Sequence, residues 1–172
     1  MLQINRINKA YNVLEVLKDV TFSLADGEHA ALVGANGSGK TTLLEIISGR
    51  LPADSGNVVT NRNDFIGYLP QNPVAIDAKT IREAMLLSLN QINPYPSQEL
   101  HPKEEAEALS LLANLGLAYL SLDTPLKTLS GGEGTQLQLA ALLLQRPEIL
   151  LLDEPKFQGV VGVKQPIEVG CL

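Results

Sequence analysis

Eight consecutive residues, Gly34-Ala35-Asn36-Gly37-Ser38-Gly39-Lys40-Thr41, place glycines, a lysine and a threonine at the spacing that suits a phosphate chain. A polyphosphate concentrates negative charge in a small volume, and side chains would crowd its approach. Glycines at 34, 37 and 39 let the backbone come close and adopt φ values that other residues avoid, so successive N–H groups point inward. Lys40 would then reach the β- and γ-phosphates of a nucleoside triphosphate, and the Thr41 hydroxyl would ligate Mg²⁺. A glycine-rich surface turn is the competing reading, and the flanks decide against it. Ahead lies His29-Ala30-Ala31-Leu32-Val33, an apolar run that reads as a buried strand. Behind it, residues 42–48 have helical spacing and stop at Gly49, a helix C-cap. The helix begins near Gly39 and adds its positive end to the site.

Two further segments carry chemical groups. Ile149-Leu150-Leu151-Leu152 is an apolar strand that ends in Asp153-Glu154-Pro155. Placing two carboxylates at the end of a fully buried strand is costly unless they have partners. A Mg²⁺ beside a triphosphate would be one for Asp153. Glu154, facing the γ-phosphate, would orient or deprotonate an attacking water. The plain alternative is an ordinary strand-to-loop exit. Leu129-Ser130-Gly131-Gly132-Glu133 precedes a helical pattern over Gly134–Gln145 that Arg146-Pro147 ends. Taken alone, it is an N-cap with a flexible approach.

These groups need a scaffold, and the periodicity supplies one. Leu2–Ile7 and Leu17–Leu24 read as strands joined by a polar turn around Asn8–Asn12, and Asn57–Thr60 and Phe65–Leu69 as short strands. Thr80–Ile92 has helical spacing, with Thr80 as N-cap and Glu83 completing a capping box. Asn93–Ser97 breaks it, and Pro102–Leu115 is a second helix. The pattern is an α/β core with a helical lobe, from about Thr80 to Arg146, inserted into it.

Bulk properties set the outer limits. The 172 residues suit one domain with a real core. Net charge is −6, which argues against a broad nucleic-acid footprint. No apolar run approaches the ~18 residues that span a bilayer, the N-terminus lacks a secretory apolar segment, and Cys171 is the only cysteine. A cytoplasmic protein without direct membrane insertion is expected.

In this order and spacing the segments resemble the ATP-binding cassette (ABC) family of ATPases, over Met1 to Pro155. The resemblance implies a P-loop NTPase core, a mixed sheet with flanking helices, carrying an inserted α-helical lobe at about 80–146. It also implies Mg-ATP as ligand and ATP hydrolysis as activity. Tyr11 matches the aromatic that stacks on adenine. Gly34, Asn36, Gly37, Ser38, Gly39, Lys40, Thr41 and the following Thr42 match the Walker A loop, with Thr41 on the metal. Gln71, in Tyr68-Leu69-Pro70-Gln71, matches the glutamine that touches Mg²⁺ and water and couples lobe to core. Ser130, Gly131 and Gly132 match the signature motif, which in this family caps the γ-phosphate of ATP held by a second cassette. Asp153 and Glu154 match the Walker B aspartate and the catalytic glutamate. A second cassette is therefore an implied partner.

Within the family, Glu133 and the lack of arginines in Gly134-Thr135-Gln136-Leu137-Gln138 look most like the first cassette of an ABC-F protein, a soluble, ribosome-associated branch. The alternatives are the ATP-hydrolysing subunit of a membrane transporter, partnered by a membrane-spanning subunit, and an ATP-binding protein without turnover.

After Pro155 the resemblance stops. The family continues with a D-loop, a further strand and a switch histidine, whereas residues 156–172 follow no such pattern. His29 and His101 both precede the Walker B strand and do not replace that histidine. The family's next strand lies between the Walker A and Walker B strands. Val160–Lys164 follows Pro155 too closely for a parallel crossover. The expectation is a cassette truncated after Walker B with a frameshifted or read-through tail, a gap or altered edge at the centre of its sheet, and little activity by itself.

Overall fold

Alternating apolar residues from Leu2 and again from Leu14 produce an antiparallel hairpin, β1 (Leu2–Tyr11) and β2 (Leu14–Leu24), with Ile4 opposite Phe22 and Tyr11 opposite Leu14. Strand β4 (Ser55–Val59) joins the other side of β1, also antiparallel, giving the order β2-β1-β4. The structure, a computed structural model, describes residues 1–154 and the backbone of 165–168. The hairpin runs further than its sequence suggests. Only Asn12 and Val13 turn, with Asn12 at φ 56°, whereas the polar stretch from Asn8 was expected to leave the strand.

Side-chain partners keep that stretch extended. Lys9 Nζ pairs with Asp54 Oδ1 at 2.7 Å. Asn8 Nδ2 donates to Arg6 O at 2.9 Å and Ser55 Oγ at 3.0 Å, while Asn8 Oδ1 accepts from Asp19 N at 2.8 Å. Those bonds sit where the ladder is irregular: Arg6 and Asp19 have φ of 49° and 46°, Gly56 has φ 88°, and the register slips on both sides of β1. Bulged strands lose ladder hydrogen bonds, and the Asn8 amide replaces them.

The remaining strands carry the chemical groups. They are β3 (Ala30–Val33), β5 (Ile66–Leu69), β6 (Ile149–Leu152) and β7 (Gln165–Glu168). β5 pairs with β6, and β3 pairs in parallel with β7, Ala30 opposite Gln165. β3 thus has a parallel neighbour, while among the described residues no ladder joins the β3-β7 pair to the β5-β6 pair, in keeping with the altered centre expected of the sheet. The span too short to cross over was the one reaching Val160–Lys164, which lies outside the described residues. β7 starts later: residues 153 to 164, twelve in all, separate it from β6, and a parallel crossover needs about a dozen.

Helix α1 (Lys40–Ile47) follows the glycine loop and ends in Gly49 at φ 75°. Its buried Leu43, Ile46 and Ile47 share one core with Ile4, Ile7 and Leu17 of the hairpin, Tyr68 of β5 and Leu151 of β6. These elements belong to a first compact unit, Met1–Tyr68 with Ile149–Asp153.

The second unit contains Leu69–Glu148. Its helices are α2 (Ile81–Ile92), α3 (Pro102–Asn114) and α4 (Gly131–Leu144). They enclose a separate core of Ile81, Met85, Leu112, Leu117, Leu137, Ala140 and Leu144 among others. Thr80 caps α2 by accepting from Glu83 N, as expected, but the Glu83 carboxylate reaches back to Lys79 N rather than Thr80 N. Helix α4 starts three residues earlier than its periodicity suggested, because Ser130 caps it and draws Gly131 and Gly132 into the first turn.

Candidate functional site

The loop between β3 and α1 has the backbone its glycines allow. Gly37 and Gly39 take φ of 83° and 90°, and Ser38 N donates to Ala35 O at 3.1 Å. Gly39 has a second reason to be glycine: a Cβ there would stand 2.8 Å from Leu17 Cδ2 and 2.9 Å from Val16 Cγ1. The hairpin thus fixes the loop from beneath. Lys40 Nζ folds back on the loop, donating to Gly34 O and Ala35 O at 3.0 Å each. Ser38 is buried, and its Oγ has no hydrogen-bond partner. A buried hydroxyl without a partner is rare and calls for an acceptor or donor from outside the chain. Gly34, Ala35, Asn36 and Gly37 are exposed and Thr41 is exposed at the helix start. An open rim, an unpaired hydroxyl beneath it and an ammonium resting on two carbonyls fit a polyphosphate.

Tyr11 ends β1 at the hairpin turn, 46% exposed, with Lys9 Nζ 5.9 Å from its ring centroid. Asp153 stands at the end of β6, 3% exposed, and its Oδ2 accepts from Tyr68 OH at 3.3 Å. Burial first, and Asp153 next, push the Tyr68 phenol up to about 12, so it remains a donor at ordinary pH. Arg50 lies over the Tyr68 ring, 4.8 Å from its centroid. Among the described residues no three His, Cys, Asp or Glu side chains gather into a metal site.

The first unit therefore carries Tyr11, the loop of residues 34–42 and Asp153, while the second carries Gln71, Glu154 and the Ser130 segment. Gln71 Nε2 donates to Glu154 Oε2 at 2.6 Å, and Glu154 takes φ 47°, a conformation that non-glycine residues seldom adopt. At the start of α4, Glu133 Oε2 accepts from Ser130 N at 2.6 Å and Ser130 Oγ from Glu133 N, a reciprocal box. Tyr119 OH donates to the other Glu133 oxygen. The bonds with Ser130 and then Tyr119 hold the Glu133 carboxyl down at about 2. Gly131 and Gly132 remain exposed at this helix start. Sequence reasoning missed Tyr68, Arg50 and Tyr119. An aromatic at the end of a buried strand reads as packing, and only the fold shows what its hydroxyl meets.

A family model described as ABC transporter matches residues 17–156. The chain belongs to the ABC transporter family. As an ABC ATPase cassette it is 36% identical over 161 residues to the zinc import ATP-binding protein ZnuC of Yersinia pestis, covering 93% of this chain and 58% of the relative. It is 35% identical over 164 residues to the molybdate/tungstate import ATP-binding protein WtpC of Thermococcus kodakarensis, covering 90% and 48%. An uncharacterized ABC transporter ATP-binding protein of Bacillus subtilis, YfmM, is 33% identical over 189 residues, covering 90% and 36%. The cassette thus spans about half the length of these curated relatives, or less. Among solved structures it superposes on the ATP-binding cassette MJ0796, a dimer in a post-hydrolysis state bound to ADP and Pi, with a TM-score of 0.76 and 26% identity over 91% of this chain and 75% of that one. The P-loop NTPase cassette fold expected from the motifs is the fold observed. Among the described residues no helix is long and apolar enough to cross a membrane.

Proposed function

We propose that this ABC cassette binds Mg-ATP on residues 34–42 and serves as an ATP-hydrolysing subunit of a membrane transporter. One observation carries the nucleotide assignment: a glycine loop with a buried, partnerless Ser38 hydroxyl and a lysine parked on its own carbonyls. Asn36, Gly37, Gly39 and Lys40 hold the phosphates, and Tyr11 stacks on the base. Thr41, Asp153 and Gln71 serve the metal. Glu154 handles the attacking water. The exposed Ser130, Gly131 and Gly132 segment presents a helix start to the nucleotide of a second cassette, so two cassettes complete the sites between them. The dimer seen for MJ0796 supports that pairing.

The ABC-F preference drawn from Glu133 and the missing arginines gives way to the transporter reading. The zinc and molybdate/tungstate import proteins are ATP-binding components of importers, and their likeness covers nine-tenths of this chain. A ribosomal partner has no comparable support. Sedimentation from a lysate of the source cells tests the choice: with Mg-ATP present, the chain is expected in the membrane fraction. Recovery with ribosomes would reverse it.

The proposed role of Glu154 makes a separate prediction. Glu154→Gln keeps an acceptor for the Gln71 amide, so Mg-ATP affinity by calorimetry should stay within about twofold while water activation is lost. A loss of binding as large as that of a P-loop variant would make Glu154 structural instead.

A further inference from the structure

Asp153 is the buried carboxylate nearest in sequence to the chemistry, and a carboxylate has two equivalent oxygens. Something must decide which of them serves a metal. In this fold the decision falls to a residue that no site role above uses, the tyrosine three positions before Gln71. Tyr68 OH donates to Asp153 Oδ2 at 3.3 Å, in a setting where Tyr68 is 7% and Asp153 3% exposed.

The ring that carries this hydroxyl is itself fixed on both sides. It packs in the core shared by Leu43, Ile46 and Leu151. The Arg50 guanidinium covers it, 4.8 Å from the centroid. Arg50 lies three residues past the end of the helix that Lys40 and Thr41 begin, and Arg50 N donates back to Glu45 O of that helix at 2.9 Å. A continuous set of contacts thus runs from the phosphate-loop helix through Arg50 and the Tyr68 ring to the carboxylate, all within the first unit.

We propose that Tyr68 is a positioning residue for Asp153. Its hydroxyl occupies Oδ2, which leaves Oδ1 as the oxygen that serves Mg²⁺ once nucleotide is bound. The inference rests on the nucleotide assignment made above. Without the phenol, no hydrogen bond from Tyr68 holds the angle of the carboxylate plane, and Oδ2 is left buried without its donor. The cost falls on the metal's contribution to binding, not on the phosphate loop.

Calorimetry of ATP binding, in Mg²⁺ and in EDTA, on the full chain and its Tyr68→Phe variant tests this. Tyr68→Phe should keep the metal-free affinity and lose about tenfold of the gain that Mg²⁺ confers, the size expected when a charged group loses one hydrogen bond. Electron paramagnetic resonance of Mn²⁺ with ATP should show the same weakening without reference to turnover. In an Asp153→Asn background, Tyr68→Phe should add nothing further.

Equal Mg²⁺ gains in wild type and variant would overturn the proposal. So would a proportional loss with and without metal, which marks a purely structural side chain, or an undiminished effect in the Asp153→Asn background. If the wild-type chain, folded by circular dichroism, binds ATP under neither condition, the nucleotide assignment itself fails, and this inference with it.

Discussion

Replacing Lys40 with alanine should raise the dissociation constant for Mg-ATP at least about a hundredfold, measured by calorimetry against the unmodified chain. The magnitude follows from what the ammonium does at each end of the equilibrium. Without ligand it donates to Gly34 O and Ala35 O, each at 3.0 Å. Those carbonyls line an open rim and recover water when the lysine leaves them, so releasing it costs little. On a triphosphate the same group would make charge-assisted bonds to phosphate oxygens, worth about 1.5–3 kcal/mol each. Two such bonds lost correspond to about two orders of magnitude or more. Fold stability should hardly move, because Lys40 fills no core position. An unchanged affinity for Lys40→Ala would refute the phosphate assignment.

The second large effect is on the fold. Gly56→Ala should destabilise the chain by about 3 kcal/mol or more, lowering the thermal midpoint by roughly 6–12 °C for a domain of this size. A Cβ at Gly56 would overlap the Arg6 carbonyl oxygen and sit 2.5 Å from Arg6 C and Asn5 O, and the φ of +88° adds strain for any L side chain. All three obstacles are backbone of β1, the middle strand of its sheet, so no side chain can turn aside. Gly27 is the matched control. Its φ is +75° with nothing within 4 Å of a built Cβ, so Gly27→Ala should cost only the ~1–2 kcal/mol of the left-handed conformation. Equal costs at the two positions would show that the bulge yields.

Much of this was legible in the residues. The phosphate loop declared itself because its glycines have a local reason, the backbone curvature, that needs no knowledge of neighbours. The caps at Thr80 and Ser130 were legible for the same reason, as each donor and acceptor lies within one helical turn. What escaped was settled at a distance. Asn8 looks like a turn residue until Ser55 and Asp19 arrive to use its amide. Tyr68 looks like packing until β6 brings Asp153 to it from 85 positions away. Residues 165–168 resemble nothing in the family pattern, yet they form a strand on β3, because ladder pairing draws on backbone groups rather than side chains, and Pro166 lacks only its N–H.

That pairing also governs when the protein can finish itself. Ala30 and Gln165 are 135 positions apart, the difference of their numbers, so during synthesis β3 emerges long before its parallel neighbour. At ~5–20 residues per second the wait lasts several seconds or more. Throughout it, one flank of the strand that leads into the phosphate loop offers unsatisfied amides and carbonyls to any passing chain. The interval between translation and closure is therefore a vulnerable one, in which a holding chaperone or an early ligand on the loop would have most to protect.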